Sequence, residues 1–221
     1  MARQQVLLAA SELPASSDGF MCSREARRLL TQLAASQGHT CPEADWSPRG
    51  SGPPAHPRLP SGWFAGITHK RGMVIAGLSH GPFGIDLEYS NPRHALRLEG
   101  LIDSLPEPHV RKTICEASSP QSAFYQAWTL YEALFKLASH TDRLAPSVFD
   151  VRLPNPLKSH DRIRVWQGQE WTFTLAGDAP VLLNIDPASL LPGIAPVASV
   201  FVKETAHQPI ADHQISSPLK Q

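Results

Sequence analysis

Along residues 23–36 apolar positions recur every three or four places: Ala26, Leu29, Leu30, Leu33 and Ala34 share one face, and Arg24, Arg27, Arg28 and Gln32 take the others. That period predicts an amphipathic helix, with Gly38 as its stop. Residues 41–60 break it with six prolines, Gly50 and Gly52, and predict a loop laid over the surface. From Trp63 the pattern shortens to two apolar runs, 63–68 and 73–78, joined by His69-Lys70-Arg71-Gly72, which reads as a hairpin. Residues 84–88 follow as a third strand, and Asn91-Pro92 marks a turn. The polar stretch 93–119 predicts two short helices. Pro120 then opens a longer helix over about 121–138, with Ala127, Leu130, Leu134 and Leu137 as its core stripe. Beyond it, 148–153, 163–166, 171–175, 181–185 and 197–202 read as strands bounded by Gly, Pro and Asp.

Helix followed by strands thus occurs twice, which predicts an α+β fold of two similar-sized halves, each with a small antiparallel sheet, in pseudo-two-fold arrangement with the active site between them. The expected division is an N-terminal half over 1–83, a C-terminal half over 84–203, and a polar, disordered tail over 204–221.

Composition narrows the function classes. Twenty Lys and Arg balance twenty Asp and Glu, so no bulk charge favours nucleic acid or an anionic membrane. No stretch approaches the roughly 20 apolar residues needed to span a bilayer. The apolar run 6–10 is too short for a signal sequence, and Cys22, Cys41 and Cys115 form no paired motif. These features fit a cytoplasmic protein.

Two segments carry the chemistry: Gly84-Ile85-Asp86-Leu87-Glu88, and the helix with Trp128, Tyr131, Glu132 and Lys136. In a strand, Asp86 and Glu88 project to one side while Ile85 and Leu87 pack on the other. In a helix, Trp128, Glu132 and Lys136 share a face at i, i+4 spacing. Each piece alone has a bland explanation, a wet strand face or an exposed helix ion pair. Joined, they would converge three carboxylates beside a lysine, which is costly without a bound cation.

These segments resemble the 4'-phosphopantetheinyl transferases of the surfactin and enterobactin synthase type, which carry a Gly-x-Asp-x-Glu strand and a later Trp-x-x-Lys-Glu-Ala-x-x-Lys helix. Ser23-Arg24-Glu25-Ala26-Arg27 is similar to the family's Gly-Arg-x-x-Ala-Arg helix, and residues 60–69 to its segment ending in Ser/Thr-His. The resemblance covers roughly residues 20–140. It implies that Asp86, Glu88 and Glu132 hold Mg²⁺ against the pyrophosphate of coenzyme A, a hard cation suited to oxygen ligands. It implies that Thr68, His69, Lys136, Arg24 and Arg49, the last together with Arg58, contact coenzyme A. Catalysis would rest on Glu132 as base, with Lys136 and His69 at the phosphates. The implied partner is an acyl or peptidyl carrier protein, docking on a surface that includes 98–122, and a monomer would suffice.

Three departures stand out. Tyr131 replaces the family's Lys before the glutamate, Leu59 replaces its Trp before Pro60, and Ala65-Gly66 stands for Gly-Ser. The loss of a lysine at 131 leaves open a non-catalytic relative that binds coenzyme A or a carrier protein as a regulator. A metal-dependent phosphohydrolase using the same carboxylates is a third reading.

Overall fold

A computed structural model of the chain describes residues 3–141, 145–153 and 162–197. The chain opens with a strand, β1 (Gln4–Glu12), where sequence reasoning expected no element. Its apolar run alternates between two cores: Val6 and Leu8 point one way, Leu7 the other. Helix α1 (Gly19–Ser36) starts four residues before the expected position, because the Asp18 carboxylate accepts from the amides of Phe20 and Met21 and caps it. The proline-rich loop contains only a short 3₁₀ turn, Glu43–Asp45.

Strands β2 (Trp63–Lys70) and β3 (Met73–His80) form the expected hairpin, so His69 lies within β2, opposite Val74, rather than on the turn. The turn is Arg71-Gly72, both with positive φ (48° and 82°), the combination a two-residue type I′ connection requires. Next comes β4 (Phe83–Tyr89). Three short helices, not two, occupy the polar stretch: α2 (Pro92–Ala95), α3 (Leu98–Asp103) and α4 (Pro108–Cys115). Proline at the first turn starts α2 and α4. Helix α5 (Pro120–Ala138) is capped by the Ser119 hydroxyl. The residues expected to begin a strand at 148 instead make a 3₁₀ turn, Val148–Asp150, because the Ser147 side chain accepts from the Phe149 amide.

The remaining elements are β5 (Ile163–Gln167), β6 (Trp171–Gly177), β7 (Val181–Leu183), α6 (Pro187–Leu190) and β8 (Ala195–Pro196). The strand expected at 197–202 and the tail expected at 204–221 lie largely or wholly outside the described residues.

Two four-stranded sheets result, ordered β2-β3-β1-β7 and β4-β6-β5-β8. The architecture is α+β with small sheets. The second sheet is antiparallel throughout, whereas β7 pairs parallel to β1, so a strand from late in the chain completes the first sheet. Helix α1 covers one face of the first sheet, packing Leu29, Leu30 and Leu33 against Val74, Ala76 and Leu78. The other face shares a core with the second sheet, where Val6, Leu8 and Ile75 meet Ile85, Leu87, Phe173 and Leu175. Helix α5 covers the far side of the second sheet. Among the described residues no helix is long and apolar enough to cross a membrane.

Candidate active site

Strand β4 divides its side chains as alternation dictates. Phe83, Ile85 and Leu87 enter the core between the sheets, and Gly84, Asp86 and Glu88 lie on the face toward α5. Gly84 is what lets the helix lie down on the strand: a Cβ there would stand 1.9 Å from the Ala133 carbonyl oxygen and 2.6 Å from the Leu137 nitrogen. A hydroxyl pair, Thr129 on α5 and Thr174 on β6, sets the height of the helix at 2.7 Å. Asp86 is the cross-strand neighbour of Thr174, so it too lies beneath α5.

Lys136 Nζ donates to Asp86 Oδ1 at 2.7 Å across fifty positions of sequence. The Trp128 indole faces Glu88 and acts weakly to lower its pKa. One helix face, at i, i+4 and i+8, therefore reaches both strand carboxylates, with Glu132 at its middle. Burial first, then the charges of Asp86 and Lys136 in opposite directions, act on Glu132, and the net effect raises its carboxyl above the usual range. Burial likewise raises Glu88 against the pull of Lys70. The other oxygen of Asp86, Oδ2, is buried and has no hydrogen-bond partner. A buried carboxylate oxygen with nothing to bond is costly, and such an atom marks a place where a ligand fits. In this arrangement no group of three or more His, Cys, Asp or Glu side chains among the described residues is drawn together tightly enough to hold a metal ion. Lysines hold two of the carboxylates instead: Lys136 on Asp86, and Lys70 Nζ on Glu88 Oε2 at 2.5 Å.

Thr68 and His69 come from the end of β2, the edge strand facing β4. Thr68 is 4% exposed; its hydroxyl accepts from the Leu87 amide at 3.1 Å and points its proton toward Asp86 Oδ1 at 3.4 Å. The Thr68 hydroxyl, expected from the sequence to contact coenzyme A, here bonds to β4 beside Asp86. His69 is half-buried, and its pKa is lowered, chiefly by burial, then by the nearby charges of Arg49, Lys136 and Lys70. It is thus held toward the neutral form amid cations.

Arg24 and Arg49, both exposed, line a groove of about 410 Å³ with Phe20, Arg27, Glu43 and Pro48. The Arg49 guanidinium lies over Gly19 at the start of α1, and its charge also reaches His69. A basic strip therefore runs from Arg24 through Arg49 and His69 to Lys136. Arg58 stays outside it, its amide bonded to His56 and its charge beside Cys41. On the other side of Lys136 an apolar cleft of about 230 Å³ opens between Pro53, Ala65, Ile67, Phe83, Phe135 and His140.

Two residues differ from what the sequence led one to expect. Tyr131 is 1% exposed and turns away from the carboxylates; its hydroxyl donates to the buried Glu107. The side chain at 131 therefore packs in the core with Glu107 and does not point at Asp86. Lys70, given no role in the sequence, supplies a cation from the hairpin. The available signal was its place immediately after His69.

Residues 82–181 match the family model of the 4'-phosphopantetheinyl transferase superfamily. The matched segment begins just before β4 and ends at the start of β7, so it contains Asp86, Glu88, Glu132 and Lys136. Arg24, Arg49, Thr68 and His69 lie outside it. No curated protein matches the chain.

Proposed function

We infer that the protein transfers the 4'-phosphopantetheine arm of coenzyme A to a serine of an acyl or peptidyl carrier protein, as the surfactin and enterobactin synthase type does. The observation that supports this most is the buried Asp86 with its unpartnered oxygen, set beside Glu88 and Glu132 and at the end of a basic strip. An all-oxygen donor set with an orphaned buried oxygen fits a hard divalent cation. Asp86, Glu88 and Glu132 would hold Mg²⁺, whose chemistry is to neutralise charge on the pyrophosphate. The site would then lie between two halves, 1–83 and 84–203, where β2 meets β4.

The protein's own side chains account for the rest. Arg24, Arg49, His69 and Lys136 bind and orient the phosphates of coenzyme A, positioning being most of what phosphoryl transfer asks of a protein. The serine oxygen attacks the phosphorus that carries the pantetheine arm. A new P–O bond forms, the bond from that phosphorus to the bridging oxygen breaks, and 3',5'-adenosine bisphosphate leaves with the electron pair. Glu132, its basicity raised by burial, accepts the serine proton. The regulator reading rests on Tyr131, whose side chain is buried against Glu107 rather than turned toward the carboxylates.

Incubation with coenzyme A, Mg²⁺ and a panel of apo carrier proteins tests the reading by mass spectrometry. A phosphopantetheine adduct on at least one carrier is expected, lost in Asp86→Ala and Glu132→Gln. No adduct across fatty acid, polyketide and peptide carriers would refute it. Release of adenosine bisphosphate without a carrier would point to the hydrolase instead.

A further inference from the structure

Lys70 holds a position that the transfer reaction as described leaves unused. It is the last residue of β2, next to the two-residue turn, and its ammonium pairs with Glu88 at 2.5 Å. The partners are unequal: the Lys70 side chain is 40% exposed, that of Glu88 13%. Glu88 is thus the buried partner, while Lys70 reaches in from solvent on a flexible stem. The charge of Lys70 is felt at Glu88, Glu132 and His69, three of the groups around the same small volume.

Charge counting shows why such a lysine matters. Three carboxylates in one partly buried volume are costly: burial first, and with it the charge of Asp86, raises the carboxyls of Glu88 and Glu132. Lys136 offsets one of them and Lys70 another, which leaves the site near a single net negative charge. A divalent cation entering with both lysines in place would face two ammonium groups. Lys136 reaches Asp86 from helix α5 with its side chain 33% exposed, and Lys70 reaches Glu88 from the end of a hairpin with its side chain 40% exposed, so the two lysines differ in the element that carries them more than in exposure.

We propose that Lys70 is a built-in counter-ion of this site, holding Glu88 when no cation is bound and giving way when a divalent cation takes its place. This rests on the reading of Asp86, Glu88 and Glu132 as a cation site. Its logic is competition: the lysine preserves the arrangement of the carboxylates in the resting protein and weakens cation binding by having to be displaced. Once displaced, it remains at the rim of the site as a mobile positive charge.

Calorimetric titration of the full chain with Mn²⁺ alone tests this without recourse to activity. Lys70→Met removes a like charge a few ångströms from a divalent ion, and should tighten Mn²⁺ binding about tenfold, the size such a charge has in water. Lys70→Arg, which keeps the charge, should bind no tighter than the wild type. Glu88→Gln removes the other half of the same ion pair and should weaken binding at least tenfold. The two partners of one pair then move affinity in opposite directions, which a purely structural pair would not do. Unchanged or weaker binding in Lys70→Met overturns the counter-ion role. If Asp86→Ala binds Mn²⁺ as well as the wild type, or the wild type binds none, the cation-site reading fails and this proposal fails with it.

Discussion

The Tyr131 hydroxyl donates to one carboxylate oxygen of Glu107, and the Leu153 amide donates to the other at 2.7 Å, all within the core that packs α5 against α4. The phenol is held protonated, its pKa raised first by burial and then by Glu107. This pair ties the start of α4 and the segment before β5 to the helix that carries Glu132. Removing the hydroxyl in Tyr131→Phe leaves a buried carboxylate oxygen short of a partner, a loss of about 1.5–3 kcal/mol for a bond to a charged group. Urea unfolding should register it as a lower midpoint with unchanged slope. Tyr131→Lys should give no gain in phosphopantetheine transfer, because its ammonium would meet Glu107 and not Asp86. A several-fold gain would mean that position 131 reaches the site after all.

Gly84 sets the approach of α5 to β4, so Gly84→Ala tests whether that contact controls the site. The added Cβ would overlap the Ala133 carbonyl, a backbone atom that cannot turn aside. The helix must lift, at a cost of roughly 1–3 kcal/mol or more for overpacking. Lys136 and Glu132 would rise with it. Thermal melting should report the destabilisation, and transfer activity should fall well beyond the fraction unfolded. A variant as stable and active as the wild type would show that the close approach is not needed.

Local periodicity made part of this site legible and could not reach the rest. Alternation along Asp86 and Glu88, and the shared face of Trp128, Glu132 and Lys136, are properties of single elements, and the structure keeps both. The same helix stripe that contains Ala127 and Leu130 also contains Tyr131, four residues after Ala127, so its burial was readable had its motif not been read as functional. Leu137, assigned to the stripe, is only half-buried, because the helix is by then passing the edge of the sheet. Strand β1 was missed because five apolar residues near a chain start fit several elements equally well. The parallel pairing of β7 with β1 joins residues 177 positions apart, and the Lys70–Glu88 pair crosses between two sheets. Neither leaves a trace in local pattern.

Thr68 shows how a buried hydroxyl serves a carboxylate it barely touches. Its bond to the Leu87 amide fixes the backbone on one side of Asp86, and its proton faces Asp86 Oδ1. Thr68→Val keeps the shape and deletes both contacts, leaving a buried amide unpaired at about 1–3 kcal/mol. Stability should fall by that amount. If Thr68 positions Asp86, Mn²⁺ affinity should fall as well, while the KM for coenzyme A stays near the wild-type value. A raised KM with unchanged Mn²⁺ affinity would mark Thr68 as a direct coenzyme A contact instead.

His140 makes the stability of the fold depend on pH with a sign that can be worked out. Its ring lies edge-on to Phe64 at 5.3 Å and stacked near Phe83 at 6.2 Å, and burial pushes its pKa from 6.5 down to about 4. Between these values the unfolded chain takes up a proton that the folded chain refuses. The stability this confers is therefore complete above pH 6.5 and is lost progressively as pH falls through about 4, on the order of 3 kcal/mol in all. Glu88 and Glu132, whose pKa values are raised, act with the opposite sign: their contribution declines as pH climbs above the ordinary carboxylate value. Those terms are common to the wild type and His140→Phe, so they cancel in the difference. The variant keeps a ring between the two phenylalanines but cannot be protonated. The stability gap between variant and wild type, measured by urea unfolding, should therefore shift in the variant's favour as pH is lowered from 7 to 4. A gap that stays constant over that range would mean that His140 does not resist protonation in the folded chain.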